Sequence, residues 1–241
     1  MTTSEITSIP QKRVRRRGMR LLKGTGLFVV FVLLFLWFIG VFGGNIRTVS
    51  DGKAYRSAQI TGALLDNFLK EKGIRTVLNL RGGSSRDWWY QAEIDSCEKV
   101  SVHHVDAAFS AVRFPPPQVL QKILGVLDHA DYPVLLHCRG GSDRTGLIST
   151  LYLHLYENVP LDEAQARQLT WRFGHIRHGQ ARPMDEFLDM YRQNSEGMGL
   201  REWITKKYPA LYAALPESKK VKEENAPIPT KASESAAPVR R

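Results

Sequence analysis

The sequence predicts an α/β fold: a central sheet flanked by helices, an anion-cradling loop at one strand–loop–helix junction, and one N-terminal transmembrane helix. Three observations predict it. Short apolar and β-branched runs alternate with helical patterns through residues 45–215, the signature of a sheet covered by helices on both faces. A glycine-containing stretch, 138–146, joins the run VLLH to the segment 147–156, LISTLYLHLY. Residues 27–42 read LFVVFVLLFLWFIGVF, with no charge.

The elements follow in order. Ala54–Arg56 reads as a short edge strand, and Leu64–Lys72 as a helix closed by Gly73, a residue suited to the left-handed turn that ends helices. Arg75–Leu80 is strand-like, Trp88–Val100 helical and Val102–Val105 strand-like. Pro116–Ala130 is a helix with proline at its start, where the missing N–H costs nothing. Val134–His137 is a short buried strand. Thr145–Tyr156, Leu161–Trp171 and Pro183–Gln193 are further helices. In open sheets of this kind ligands sit beyond the carboxyl ends of the strands.

Four segments result: a basic 1–23, an apolar 24–44, the α/β domain 45–215 and a tail 216–241. The apolar segment approaches the roughly 20 residues that a helix needs to cross the hydrocarbon core. Lys12, Arg13, Arg15, Arg16, Arg17, Arg20 and Lys23 precede it, whereas Arg47, Lys53 and Arg56 follow it. The positive-inside bias therefore predicts a single-pass signal anchor with a cytoplasmic N-terminus. The bilayer becomes a partner, and the domain lies on the far side, in the periplasm if the protein is bacterial. A cleaved signal peptide is the rival, but the run is long for one and no A-x-A site follows. The tail, rich in Lys, Glu, Ala and Pro, reads as disordered.

Of the net charge of +10, +6 lies in residues 1–26 and only +2 in 45–215. A nucleic-acid partner is not expected, because that reading requires a basic stripe on the domain itself. Cys97 and Cys138 are the only cysteines. They exclude a disulfide scaffold and show no metal-ligand spacing.

Residues 137–146 read HCRGGSDRTG. A loop between a strand and a helix N-terminus offers several N–H groups to one point, reinforced by the helix dipole. Arg139, Gly140, Gly141, Ser142, Asp143 and Arg144 are the candidate phosphate-binding residues, with Gly140 and Gly141 letting the backbone curl. The guanidinium of Arg144 matches two phosphate oxygens. The same surroundings favour a thiolate at Cys138, placed for in-line attack on phosphorus and a phosphocysteine intermediate. Thr145 can donate to the departing thiolate. No metal or organic cofactor is implied, since loop and arginine supply the charge stabilisation.

The run from His137 through Cys138 to Arg144 and Thr145 resembles the signature of the protein tyrosine and dual-specificity phosphatase superfamily. Tyr55-Arg56-Ser57-Ala58-Gln59, Asn79-Leu80-Arg81-Gly82 and Gly174-His175 are similar to pieces of its bacterial dual-specificity-type members, over roughly residues 45–195. The resemblance implies a phosphatase P-loop at 138–144 and a general acid on the loop after the preceding strand. Asp106, 32 residues before Cys138, fits that place. His137 is expected to support the loop, and Arg81, at a strand end, to reach substrate or brace the loop. His175 is expected to be structural. Three functions remain open: phosphomonoester hydrolysis on phosphotyrosine or similar protein targets, hydrolysis of a phospholipid head group (phosphatidylglycerol phosphate or phosphoinositide), and a phosphate-binding module without turnover. Cys97 reads as a small core residue, with a reversible disulfide to Cys138 as the sharper alternative.

Overall fold

The structure, a computed structural model, describes residues 28–36 and 43–220. The chain divides into two units, Met1–Gly40 and Val41–Arg241. In the first, residues 28–36 form helix α1, with Phe28, Val29, Val30, Phe31, Leu33, Leu34, Phe35 and Leu36 exposed. No helix among the described residues is long and apolar enough to cross a membrane. The rest of the expected span up to Phe42, and the basic segment before it, lie outside the described residues.

The second unit runs β1 (Arg47–Ser50), β2 (Ala54–Ser57), α2 (Ala63–Glu71), β3 (Thr76–Asn79), α3 (Trp88–Lys99), β4 (His103–Asp106), α4 (Pro117–His129), β5 (Val134–His137), α5 (Asp143–Tyr156), α6 (Leu161–Gln168) and α7 (Pro183–Asn194). A last helical stretch follows, from α8 (Leu200–Glu202) through a π turn (Trp203–Lys207) to α9 (Tyr208–Ala213). The sheet is mixed, in the order β1-β2-β5-β3-β4, with β1 antiparallel to β2 and every other pair parallel.

Alternation along the strands divides the core. Leu78, Val134, Leu136 and Cys138 face one cluster with α4, α5, α7 and the C-terminal stretch; Tyr55, Val77 and Leu135 face another with α2 and α3. The register lines up the carboxyl ends: Ser57 pairs with His137, His137 with Asn79, and Asn79 with Asp106. One edge of the sheet therefore carries every strand-borne candidate residue.

Three expectations are corrected. Ala54–Arg56 belongs to a wholly buried inner strand; the edge is β1, joined to it through Asp51-Gly52, with Gly52 at φ +66°. A polar, half-exposed RTVS run carries no apolar alternation, so it did not read as a strand. The helix expected to reach Trp171 ends at Gln168, and a 3-10 turn, Trp171–Phe173, follows. The tail is not disordered from its start. Residues 216–220 pack on the domain: Phe114 N donates to Lys219 O (3.0 Å), and Lys219 Nζ pairs with Glu186 (3.1 Å).

Candidate active site

β5 delivers His137 to the sheet edge, and residues 138–142 curl back to the start of α5, so that Asp143 and Arg144 open the helix itself. The curl depends on Gly141. Its φ is +66°, a conformation glycine adopts without penalty, and a Cβ there would lie 2.6 Å from Ala58 N and 2.7 Å from Ser57 O. The loop thus rides on the end of β2.

Five carbonyls of 137–142 turn to the scaffold. His137 O accepts from Leu80 N (2.8 Å) and Arg139 O from Gln59 N (3.2 Å). Gly140 O accepts from Asn45 Nδ2 (3.1 Å), Gly141 O from an Arg56 Nη (2.6 Å), and Ser142 O from Gly146 N (2.9 Å). In a planar trans peptide the N–H points opposite to the C=O. The amides of Cys138 and of Gly140 to Asp143 are therefore turned toward the concavity, an anion nest at a helix N-terminus. Cys138 lies buried at its start.

Arg144 is oriented by two carbonyls: an Nη donates to Leu80 O (3.1 Å) and Phe109 O (3.0 Å). Its Nε is buried and finds no hydrogen-bond partner among the described residues, and neither does Thr145 Oγ1. Both are polar groups awaiting a partner at the loop. The Arg81 guanidinium stacks over Trp89 at 3.3 Å. Burial, with the charges of Arg139 and Arg144, lowers its pKa, so three arginines share one positive field.

Asp106 ends β4. Its Oδ1 accepts from Asn79 Nδ2 (2.8 Å) and its Oδ2 from Tyr90 Oη (2.5 Å). In this arrangement the carboxylate is an acceptor on both oxygens; delivering a proton requires one contact to yield. Ser142 and Asp143, expected in the phosphate site, direct their side chains elsewhere. Ser142 Oγ donates to Phe173 O (2.6 Å), and Asp143 accepts from His175 Nδ1 (2.7 Å). Their contribution to the cradle is through the backbone.

His175 is buried and also donates through Nε2 to Asp185 (2.7 Å). Burial opposes its charge, but the hydrogen bonds to Asp143 and Asp185 outweigh burial and raise its pKa from 6.5 to about 9. A raised folded-state pKa stabilises fully below the unfolded value, and that stability is lost as pH rises through the folded one. The urea midpoint is therefore expected to fall as pH rises from 6.5 through about 9. In His175→Gln this decline should vanish, as urea melts across that range will read.

Several partners were not singled out from the sequence. Arg56, fully buried, donates to Gly141 O, to Gln168 O (2.6 Å) and to Gln168 Oε1 (2.8 Å), with the Phe173 ring 4.3 Å away. Asn45 Nδ2 bonds Phe173 O (2.9 Å) besides Gly140 O. Tyr90 and Glu93 sit on the buried face of α3. A polar residue on the buried side of a helix was the available signal for Glu93; the contacts of Arg56 and Asn45 span 85 and 95 residues of sequence and have no local signal. Cys97 and Cys138 lie in clusters on opposite faces of the sheet, which separates them. Burial pushes the Cys97 thiol up to about 12, an inert core thiol. Among the described residues, no group of His, Cys, Asp and Glu could hold a metal ion.

With the loop in place, residues 52–156 match the family described as Tc-R-P, polymorphic toxin system, DSP-PTPase phosphatase. Over those residues the chain is similar to a cysteine-dependent phosphatase domain of the dual-specificity type. No curated protein matches the chain. Similar solved structures include TpbA of P. aeruginosa (23% identity, TM-score 0.48, 61% of this chain and 84% of that one). The core catalytic domain of the PP-IP phosphatase SIW14 of S. cerevisiae is another (19%, 0.49, 63% and 93%).

Proposed function

We propose that Cys138 is the nucleophile of phosphomonoester hydrolysis on phosphotyrosine or similar protein targets, with Arg144 and the amides of Cys138 and of Gly140 to Asp143 holding the phosphoryl group. The observation that carries this reading is the loop in which five carbonyls bond outward, leaving their amides and a buried thiol around one point. The thiolate attacks phosphorus as the ester P–O bond breaks, and the leaving oxygen takes a proton. Asp106 supplies that proton once Asn79 or Tyr90 releases an oxygen, a role supported by its place at the carboxyl end of β4. Thr145 Oγ1 donates to the sulfur as water cleaves the P–S bond and the thiolate departs. Arg81 adds positive potential at the rim.

A second reading, a phospholipid head-group phosphatase, has its own observation. The apolar segment 24–44 ends at Gly44, whose carbonyl accepts from Ala58 N (2.7 Å), and the next residue, Asn45, bonds the loop at Gly140. A membrane anchor ending there would set the catalytic loop at the bilayer surface. Under this proposal the segment is a signal anchor, the N-terminus cytoplasmic and the phosphatase domain on the far side.

The test is phosphate release by the full chain in detergent, from a phosphotyrosine peptide and from anionic phospholipid vesicles, with Cys138→Ser as the blank. Release from the peptide alone supports the first reading, and release from vesicles alone the second. Turnover that survives in Cys138→Ser overturns the mechanism.

A further inference from the structure

The mechanism uses α3 only through Trp89 and Tyr90, yet its buried face also holds a carboxylate. Glu93 is 1% exposed. Such a group is costly unless paired, and its pairs converge on the loop. Oε1 accepts from His104 Nε2 (2.7 Å) and from His137 Nε2 (3.1 Å). Oε2 accepts from the side-chain amide of Gln59. Gln59 in turn donates its backbone N–H to Arg139 O (3.2 Å). One carboxylate thus holds the residue before Cys138 and, through Gln59, the residue after it.

We infer that Glu93 is a positioning residue for Cys138, pinning the entry and the first carbonyl of the catalytic loop through His137 and Gln59. The inference rests on the reading of Cys138 as the nucleophile.

Electrostatics adds a second effect. Burial favours the neutral acid, but the His137 charge and the hydrogen bonds from His104 and His137 hold Glu93 far below the usual carboxylate range. The carboxylate is held where both imidazoles reach it. Two other titratable groups bear on Glu93: Arg81, drawn by its charge, and Cys97, one turn along α3; Arg56 bears on Cys138 instead. Glu93→Gln keeps the shape and removes the charge.

The experiment uses the full chain with p-nitrophenyl phosphate, measuring kcat and KM across the acid limb of the pH profile. Alkylation of Cys138 by iodoacetamide, followed by mass spectrometry, reads the thiolate without turnover. In Glu93→Gln, kcat should fall by about 10- to 100-fold, the order that slight misplacement of a reacting group costs. KM should change little, and both the acid limb and the alkylation profile should shift from their wild-type positions. Glu93→Asp should return the profiles toward the wild-type position. If Glu93→Gln does not fold, Gln59→Ala cuts the side-chain tie between Glu93 and the Gln59 backbone that holds Arg139, and leaves the charge; kcat should then fall with the acid limb unmoved. A folded Glu93→Gln with wild-type kcat and profiles overturns the inference, as does a loss carried by KM with no shift in alkylation. If Gln59→Ala is the variant read, wild-type kcat overturns it. Cys138→Ser separates the two readings. Turnover surviving there removes the nucleophile assignment, whereas its loss beside a silent Glu93→Gln removes only the role of Glu93.

Discussion

Arg144→Lys is expected to lower kcat/KM by about 10²- to 10³-fold, the loss typical when a preorganised donor to a developing oxyanion is removed. Leu80 O and Phe109 O fix the plane of the guanidinium from two sides of the sheet edge. Its buried Nε keeps a donor without a partner in the described protein. A lysine retains the charge but has a single ammonium at the end of a flexible stem and cannot present a planar fork. The loss should fall mainly on kcat, since charge builds on the equatorial oxygens as the phosphoryl group transfers. Steady-state kinetics on a phosphotyrosine peptide, with thermal melts to confirm an unchanged fold, will check it. A lysine variant within about twofold of wild type would contradict an oriented clamp.

Arg56→Met should act on the fold as much as on the chemistry. The Arg56 side chain joins β2 to the loop at Gly141 and to the end of α6 at Gln168, and Phe173 closes over it. Burial lowers its pKa to about 9, with the Cys138 charge pulling the other way. It therefore stays a cation at neutral pH. Methionine fills much of the volume but leaves the Gly141 and Gln168 acceptors buried and unpaired. The expected cost is about 3–5 kcal/mol, which at roughly 2–4 °C per kcal/mol is a fall in Tm of about 10 °C or more. The Cys138 thiolate also loses a neighbouring charge, so its alkylation at neutral pH should slow. A urea-melt difference below about 1 kcal/mol would show that these acceptors find other partners.

What the sequence could reveal follows from the range of each interaction. β5 was legible to the residue, because VLLH is a short apolar run between Pro133 and the glycine loop. The helices α2, α3, α4 and α7 fell within a residue or so of their observed ends, each marked by apolar periodicity with proline or glycine at its ends or by a polar residue before it. β1 was hidden because pairing with β2, not burial, makes it a strand. α8 and α9 were hidden because Trp203, Tyr208 and Phe187 pack on one another across the chain, which no local pattern announces. In the site, the loop is contiguous and could be read, and Asp106 was placed through the resemblance. The supports Asn45, Arg56, Tyr90 and Glu93 are united only by the fold, and Ser142 and Asp143 turned away because Phe173 and His175 offer them partners.

The aromatic packing at the C-terminus bears on how the phosphatase domain can be cut out of its chain. The family match stops at Tyr156. Met184, Phe187, Leu188, Trp203, Ile204 and Tyr208 are nevertheless fully shielded from solvent, and they share one cluster with Leu136 and Cys138. A fragment trimmed to the matched residues would lose the outer layer of that core and bare a continuous apolar face, the usual prelude to aggregation. It would also lose Gln168, His175 and Asn45, three braces of the loop. The smallest piece that keeps the site whole begins at or before Asn45 and runs through Lys220.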